Sequence, residues 1–266
     1  MWRALKAIIA RDLKRMLRQR GRLLSALVRP LIWLLVIGTG FEALLTGTGT
    51  LDYRQFLVPG VLGMALLFGA LLASLSMVYD KESGVMRMLI MAPFPHAWII
   101  LARTLSATFI GLVQAAALLL ALFLLGYLRP PINVPLLILG LGMTSLVCAV
   151  VGSLIAVYSQ SLEDFATIMN FVIFPMFFLS GALYPVQTLP VPLKIAVFIN
   201  PFSYGIDFLK HALPHEGLPG MDFPVLLDLG IMAGFVALGI TLACLRFSQA
   251  SVLEAFARRL GAPRRG

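Results

Sequence analysis

The sequence predicts an all-α protein that crosses a membrane six times, and three observations carry that expectation. Hydrophobic residues make up 60% of the chain and charged residues only 12%, a balance that soluble domains of this length do not have. The apolar residues gather into runs that match the roughly 20-residue helix needed to cross a bilayer. The basic residues are divided unequally between the segments that alternate across those runs.

Residues 1–22 come first. Trp2, Leu5, Ile8, Ile9, Leu13, Met16 and Leu17 recur at helical spacing, with Arg3, Arg11, Lys14, Arg15 and Arg18 on the opposite face. That pattern predicts an amphipathic helix lying in the membrane interface, its apolar face in the acyl boundary and its bases among lipid phosphates. The stretch is basic throughout and lacks the early apolar core of a cleavable signal peptide. Spans are expected at Leu27–Leu45, Phe56–Val78, Leu105–Tyr127, Pro135–Tyr158, a shorter Ala166–Tyr184 that carries Pro175, and Val225–Phe247. The connections Thr46–Gln55 and Arg129–Val134 are tight, whereas 185–224 runs for about forty residues, too long for a turn. Within it, Leu193–Ile199 and Pro201–Leu213 read as short re-entrant or interfacial helices that form an outer cap. Residues 248–266 are a basic tail. Neither an internal repeat nor a low-complexity linker divides the chain, so 1–266 is expected to be a single membrane domain.

Orientation follows from the basic residues. Seventeen of the 21 Lys and Arg lie at the amino end, in the connection between spans two and three, and in the tail. Only Arg54, Arg129, Lys194 and Lys210 fall on the other side. Both termini are therefore expected in the cytoplasm, as an even number of spans requires. The loop between spans four and five, SQSLEDF at 159–165, is cytoplasmic by alternation although it holds no Lys or Arg. The same bias accounts for the net charge of +9, so nucleic acid is not an expected partner. Cys148 and Cys244 fall within spans and form neither a disulfide nor a metal motif.

Enzymatic signatures are missing. The chain has no G-x-x-x-x-G-K-[ST] and no Gly-Lys pair, so it carries no phosphate-cradling loop of that kind. It has no H-E-x-x-H and no G-x-S-x-G, and no nucleophile–base pairing for an intramembrane enzyme. His211 and His215 are followed by Glu216, but Pro214 disfavours a regular helix through them, and no metal site is expected. Glu42, Arg103, Asp228 and Arg246 lie near span ends and read as interfacial, where long side chains snorkel. Gln114 and Asn170 lie deep in spans, where hydrogen bonds between helices are expected. An ion-gradient-driven carrier or channel is the alternative class; a carrier would need a buried acid near the midplane, and none is legible.

The connection at 79–97 is unusually elaborate. Asp80 and Glu82 favour a helix amino end and Arg87 suits a later position. Val85, Met86, Leu89 and Ile90 supply an apolar side, Met86, Met88 and Met91 an adaptable surface, and Pro93 and Pro95 a stop. This predicts a short cytoplasmic helix that something else touches.

The stretch K-E-S-G-V-M-R-M-L-I-M-A-P at 81–93 resembles the loop after the second span in ABC-2 type permeases, the membrane subunits of ATP-driven exporters. F-L-S-G-A-L-Y-P-V-Q-T-L-P at 178–190 and N-P-F-S-Y-G-I-D at 200–207 resemble the outer segment of the same family, most closely its drug- and polysaccharide-export branch. The resemblance spans nearly the whole chain. It implies a permease without catalytic residues or a cofactor of its own, with ATP and Mg bound by a separate cytoplasmic ATPase subunit. It further implies a second permease copy, as a homodimer or close heterodimer, in a bacterial cytoplasmic (inner) membrane. The loop helix would be the coupling helix, with Glu82, Gly84, Arg87 and Met88 contacting the ATPase. Ser180, Gly181, Tyr184, Pro185, Asn200, Pro201 and Tyr204 would form the outer gate, and Phe171, Phe174, Phe177 and Phe178 are candidates for lining the path. The implied cargo is amphipathic, lipid-like or lipid-linked.

Overall fold

A computed structural model describes residues 9–14, 18, 20–45, 53–86, 88, 96–128, 130–213 and 222–259. Among these, the regular elements are helices and there is no strand. In chain order they are α1 (Arg20–Leu45), α2 (Tyr53–Glu82), α3 (His96–Leu124), α4 (Val134–Tyr158), α5 (Leu162–Phe178), α6 (Val191–Ile199), α7 (Pro201–Ala212) and α8 (Val225–Arg259). A 3-10 turn at Val186–Thr188 separates α5 from α6. Among the described residues, four helices, α2, α3, α4 and α8, are long and apolar enough to cross a bilayer. In α1 the described side chains form the apolar stretch Leu27–Gly40, and α5 has 17 residues with Pro175 inside.

Helix α2 is the spine. It packs against α1, α3, α4, α5 and α7, and Leu57, Leu62, Leu66, Leu67 and Leu71 are fully enclosed there. Its apolar residues cover every side of the helix, as expected of one surrounded by others. By contrast α8 turns Leu226, Leu238, Leu242 and Leu245 outward.

Side-chain bonds gather the helix ends into two poles. At one, the Tyr53 hydroxyl at the start of α2 donates to the Leu183 carbonyl at 2.7 Å. There too the Asn133 backbone N–H, before α4, donates to the Ala212 carbonyl at 3.0 Å. This pole holds the segment between α5 and α8 that is expected outside, and is labelled the outer pole, the opposite one the inner pole. The other pole gathers the end of α2, the starts of α3 and α5, the end of α4 and the helical residues 9–14. Ser161 caps α5 there, accepting the Asp164 N–H at 3.0 Å, and Glu163 and Asp164 occupy the first turn, where the helix dipole favours acids.

Several expectations change. Helix α2 continues through Asp80, Lys81 and Glu82, so the two acids lie in its last turn and not at the front of a separate helix. It ends at Gly84, whose φ of +77° is the left-handed conformation of a helix stop. Helix α8 runs on to Arg259, through the first part of the expected tail. Arg103 and Asp228 are buried in the protein, not interfacial, and Asn170 is exposed on α5. Gln114 is buried and, among the described residues, its amide has no hydrogen-bond partner. Of the amino-terminal helix expected over residues 2–18, residues 9–14 and 18 are described and are helical; the remainder lies outside the described residues.

Candidate functional site

At the inner pole, consecutive side chains at the end of α2 grip the turn between α4 and α5. Lys81 Nζ donates to the carbonyls of Ala156, Val157 and Ser159 at 2.7, 2.9 and 3.2 Å, the carbonyl-rich end of α4. Glu82 Oε1 accepts the Leu162 N–H at 2.8 Å, at the start of α5. A cation thus meets one helix carboxyl end and an anion the next helix amino end, both favoured by the helix dipole. Lys81 supplies the basic residue that the 159–165 loop lacks.

Beside this grip lies a buried ion cluster. Arg103, at the start of α3, donates from Nη1 to Asp12 Oδ2 at 2.9 Å and from Nη2 to Asp80 Oδ2. The three side chains are 3%, 4% and 5% exposed. Arg11 Nη2 reaches the same Asp80 oxygen at 2.8 Å, and the Ser106 hydroxyl donates to Asp12 at 3.1 Å. Residues 11–12 are thereby tied to α2 and α3. Asp12 is the acid in an otherwise basic amphipathic stretch, and that oddity was the available sign of an inward partner.

Of the four residues implied at the coupling contact, Glu82 is bonded inward to α5, while Gly84 supplies the break that ends α2. Met88 is 71% exposed, whereas Met86, two residues earlier, is buried. Arg87 lies outside the described residues.

The implied outer residues do come together. Asn200 caps α7 by accepting the Phe202 N–H at 3.1 Å. Its Nδ2 donates to the carbonyls of Met176 and Leu179 at 2.8 and 2.9 Å, the unpaired carboxyl end of α5. Ser203 adds a second bond to Leu179. Pro201 occupies the first turn of α7, where its missing N–H costs nothing. Tyr204 is buried and donates to the Phe198 carbonyl at 2.8 Å. Ser180 donates to Phe177, Tyr184 to Phe178, and Pro185 precedes the 3-10 turn. Gly181 has φ +72° and a Cβ there would lie 2.8 Å from Val186 Cγ2.

A second charged cluster, not legible in the sequence, sits beneath this cap. Lys210 is enclosed, 3.4 Å from Asp222 and 3.7 Å from Asp207. Asp207 also accepts the backbone N–H groups of Asp222 and Phe223 at 2.9 and 3.0 Å. Burial, more than any charge, pushes the Asp222 carboxyl above its usual 3.8, with Lys210 pulling it down and Asp207 adding to the rise. His211 and Asp228 complete the group. His215 and Glu216 lie outside the described residues.

The four phenylalanines divide. Phe171, Phe174 and Phe178 are exposed along α5, with Phe174 and Phe178 stacked 6.2 Å apart. Phe177 is 3% exposed and packs edge-on against Trp33 at 5.8 Å, so it belongs to the core of the bundle.

Comparison with known proteins agrees in one direction. A family model described as ABC-2 type transporter matches residues 3–213. The chain is 30% identical over 214 residues to ycf38 of Pyropia yezoensis, named as a transport permease, covering 78% of this chain and 72% of that one. It is 26% identical over 198 residues to nodulation protein J of Rhizobium leguminosarum bv. trifolii, covering 71% and 72%. It is also 26% identical over 248 residues to the inner membrane transport permease YadH of Escherichia coli K12, covering 88% and 91%.

Proposed function

Because the chain belongs to the ABC-2 type transporter family, we propose that it is the membrane subunit of an ATP-driven exporter, coupled to a separate ATPase that binds ATP and Mg. In this reading six helices, α1 to α5 and α8, cross a bacterial cytoplasmic membrane with both termini inside. The name of the relative YadH supports that membrane. The two poles support the topology, since segments that alternation assigns to one side are bonded to one another there. A second copy, identical or closely related, completes the pathway, and the exposed Phe171, Phe174 and Phe178 suit either that contact or an amphipathic, lipid-like or lipid-linked cargo.

One observation carries the coupling. Residues 85–95 follow directly on a block in which α2, α3, α5 and residues 11–12 are joined by buried or charge-assisted bonds, and Met88 faces outward from it. A push on Met88 and its neighbours therefore moves several helices at once. Glu82 is better read as the residue that transmits this movement to α5, Gly84 as the hinge that starts the segment, and Arg87 with Met88 as the contact. The outer cap, tied to α5 through Asn200 and Ser203, closes the far end and follows α5 when it moves. The chain provides no phosphate loop of its own, and the partner supplies the nucleotide chemistry.

The test is co-purification with a cognate soluble ATPase, followed by export from proteoliposomes. Export is expected to need both chains and ATP, and to lose most of its rate in Met88→Glu. Export that persists without an ATPase and collapses when an ion gradient is dissipated would overturn the proposal in favour of a secondary carrier. The buried acids give that rival little support: Asp228 lies in the first turn of α8, at the outer pole and away from the midplane.

A further inference from the structure

We propose that Asp207, His211 and Asp228 form a binding site for a divalent transition-metal ion of the zinc class, which pins α7 to α8 at the outer pole. This inference does not depend on what the protein transports or on what drives it.

The geometry is that of a slightly open metal triad. His211 Nε2 lies 3.7 Å from Asp207 Oδ2 and 3.9 Å from Asp228 Oδ2, and one ligand atom from each residue falls within 4.8 Å of the other two. A tetrahedral ion with bonds of about 2.0–2.1 Å sets neighbouring ligand atoms about 3.4 Å apart. The side chains therefore need to close by about 0.3 and 0.5 Å along the two edges to His211, and by no more than about 1.4 Å along the edge between the carboxylates.

Asp228 supplies a separate reason. It is fully buried, and among the described residues neither of its carboxylate oxygens has a hydrogen-bond partner. A buried acceptor left in that condition is costly. The other two ligands are already held in place. Asp207 is fixed by two backbone N–H groups, and His211 Nε2 is 2.8 Å from the Phe223 carbonyl. That bond requires the proton on Nε2, so binding an ion there shifts the proton to Nδ1.

Charge points the same way. In their ionised forms Asp207, Asp222 and Asp228 set three negative charges against the single positive charge of Lys210, and Lys210 faces Asp222 and the far oxygen of Asp207. In that fully ionised form, with a neutral imidazole, the cluster holds two uncompensated negative charges in a buried setting, where unpaired charge is expensive. One divalent ion cancels them. An imidazole nitrogen with two carboxylates suits zinc and its neighbours better than calcium or magnesium, which prefer oxygen ligands alone.

The test uses tag-free protein in lipid nanodiscs, stripped with a chelator and titrated with Zn2+ by calorimetry and with Co2+ by visible absorption. One ion per chain is expected, with the intense bands of low-coordinate Co2+ and a raised melting temperature in Zn2+. Asp228→Asn and His211→Gln should each weaken Zn2+ by more than the roughly 10–100-fold that loss of an outer-shell partner costs. Both stripped variants should melt close to stripped wild type. His211→Gln keeps the test valid if Asp228→Asn fails to fold. Absence of saturable binding at millimolar Zn2+, or binding undiminished in the folded variants, overturns the proposal and leaves the cluster neutralised by protons.

Discussion

Replacing Arg103 by methionine should destabilise the protein more than most single changes. The substitution keeps the apolar volume but leaves Asp12 and Asp80, 4% and 5% exposed, without their buried cation. Breaking a buried ion pair from one side costs about 3–5 kcal/mol. Arg11 still reaches Asp80, but its side chain is 46% exposed, and a pair so hydrated contributes at most about 1 kcal/mol. The expected loss is therefore about 3–5 kcal/mol, read from equilibrium unfolding in mixed micelles by tryptophan fluorescence. The triple change Asp12→Asn, Asp80→Asn, Arg103→Met removes the charges together and should recover all but about 1 kcal/mol. If Arg103→Met costs less than about 1 kcal/mol, or the triple variant is as unstable as the single one, the cluster does not join these helices as described.

Gly84→Ala has open space around the new Cβ, so only left-handed strain of about 1–2 kcal/mol is expected, whereas Gly181→Ala adds a clash with Val186 and should lower the melting temperature further. Asn200→Ala removes three hydrogen bonds and strands the Met176 carbonyl of α5, while Ser203 still serves Leu179; it should cost about 1–3 kcal/mol for the group left buried and unpaired and expose the outer cap to thiol labelling at an introduced Ala182→Cys. Phe177→Ala should cost about 3–5 kcal/mol as a cavity in the core, while Phe171→Ala should stay within about 0.5 kcal/mol in stability and alter only self-association or transport.

Much of the fold was legible because the bilayer imposes one strong rule on helix length and composition. The apolar runs became α2, α3, α4 and α8, and the two outer motifs folded onto one another. The misreadings share a cause. Asp80 and Glu82 suit a helix amino end by charge, yet both find partners from other helices at the carboxyl end of α2, and only the glycine at 84 marked the true stop. Arg103 meets Asp12 across 91 positions, and no local pattern reports such a pairing. Asp207 and His211 stand four apart on α7, a spacing that could have been noticed, but Asp228 joins them only after the chain has folded back along α8. Phe177 differs from its neighbours by its angle around α5, which spacing alone did not assign without knowing where α1 packs.

The contact at the inner pole can be read directly with Met88→Cys, carrying a short photo-crosslinker, in membranes that also contain the cognate ATPase. An ATPase docked on this segment should be captured in high yield, with the yield changing between ATP-bound and nucleotide-free conditions. Capture of lipid alone, or the same adducts whether or not the ATPase is present, would contradict it.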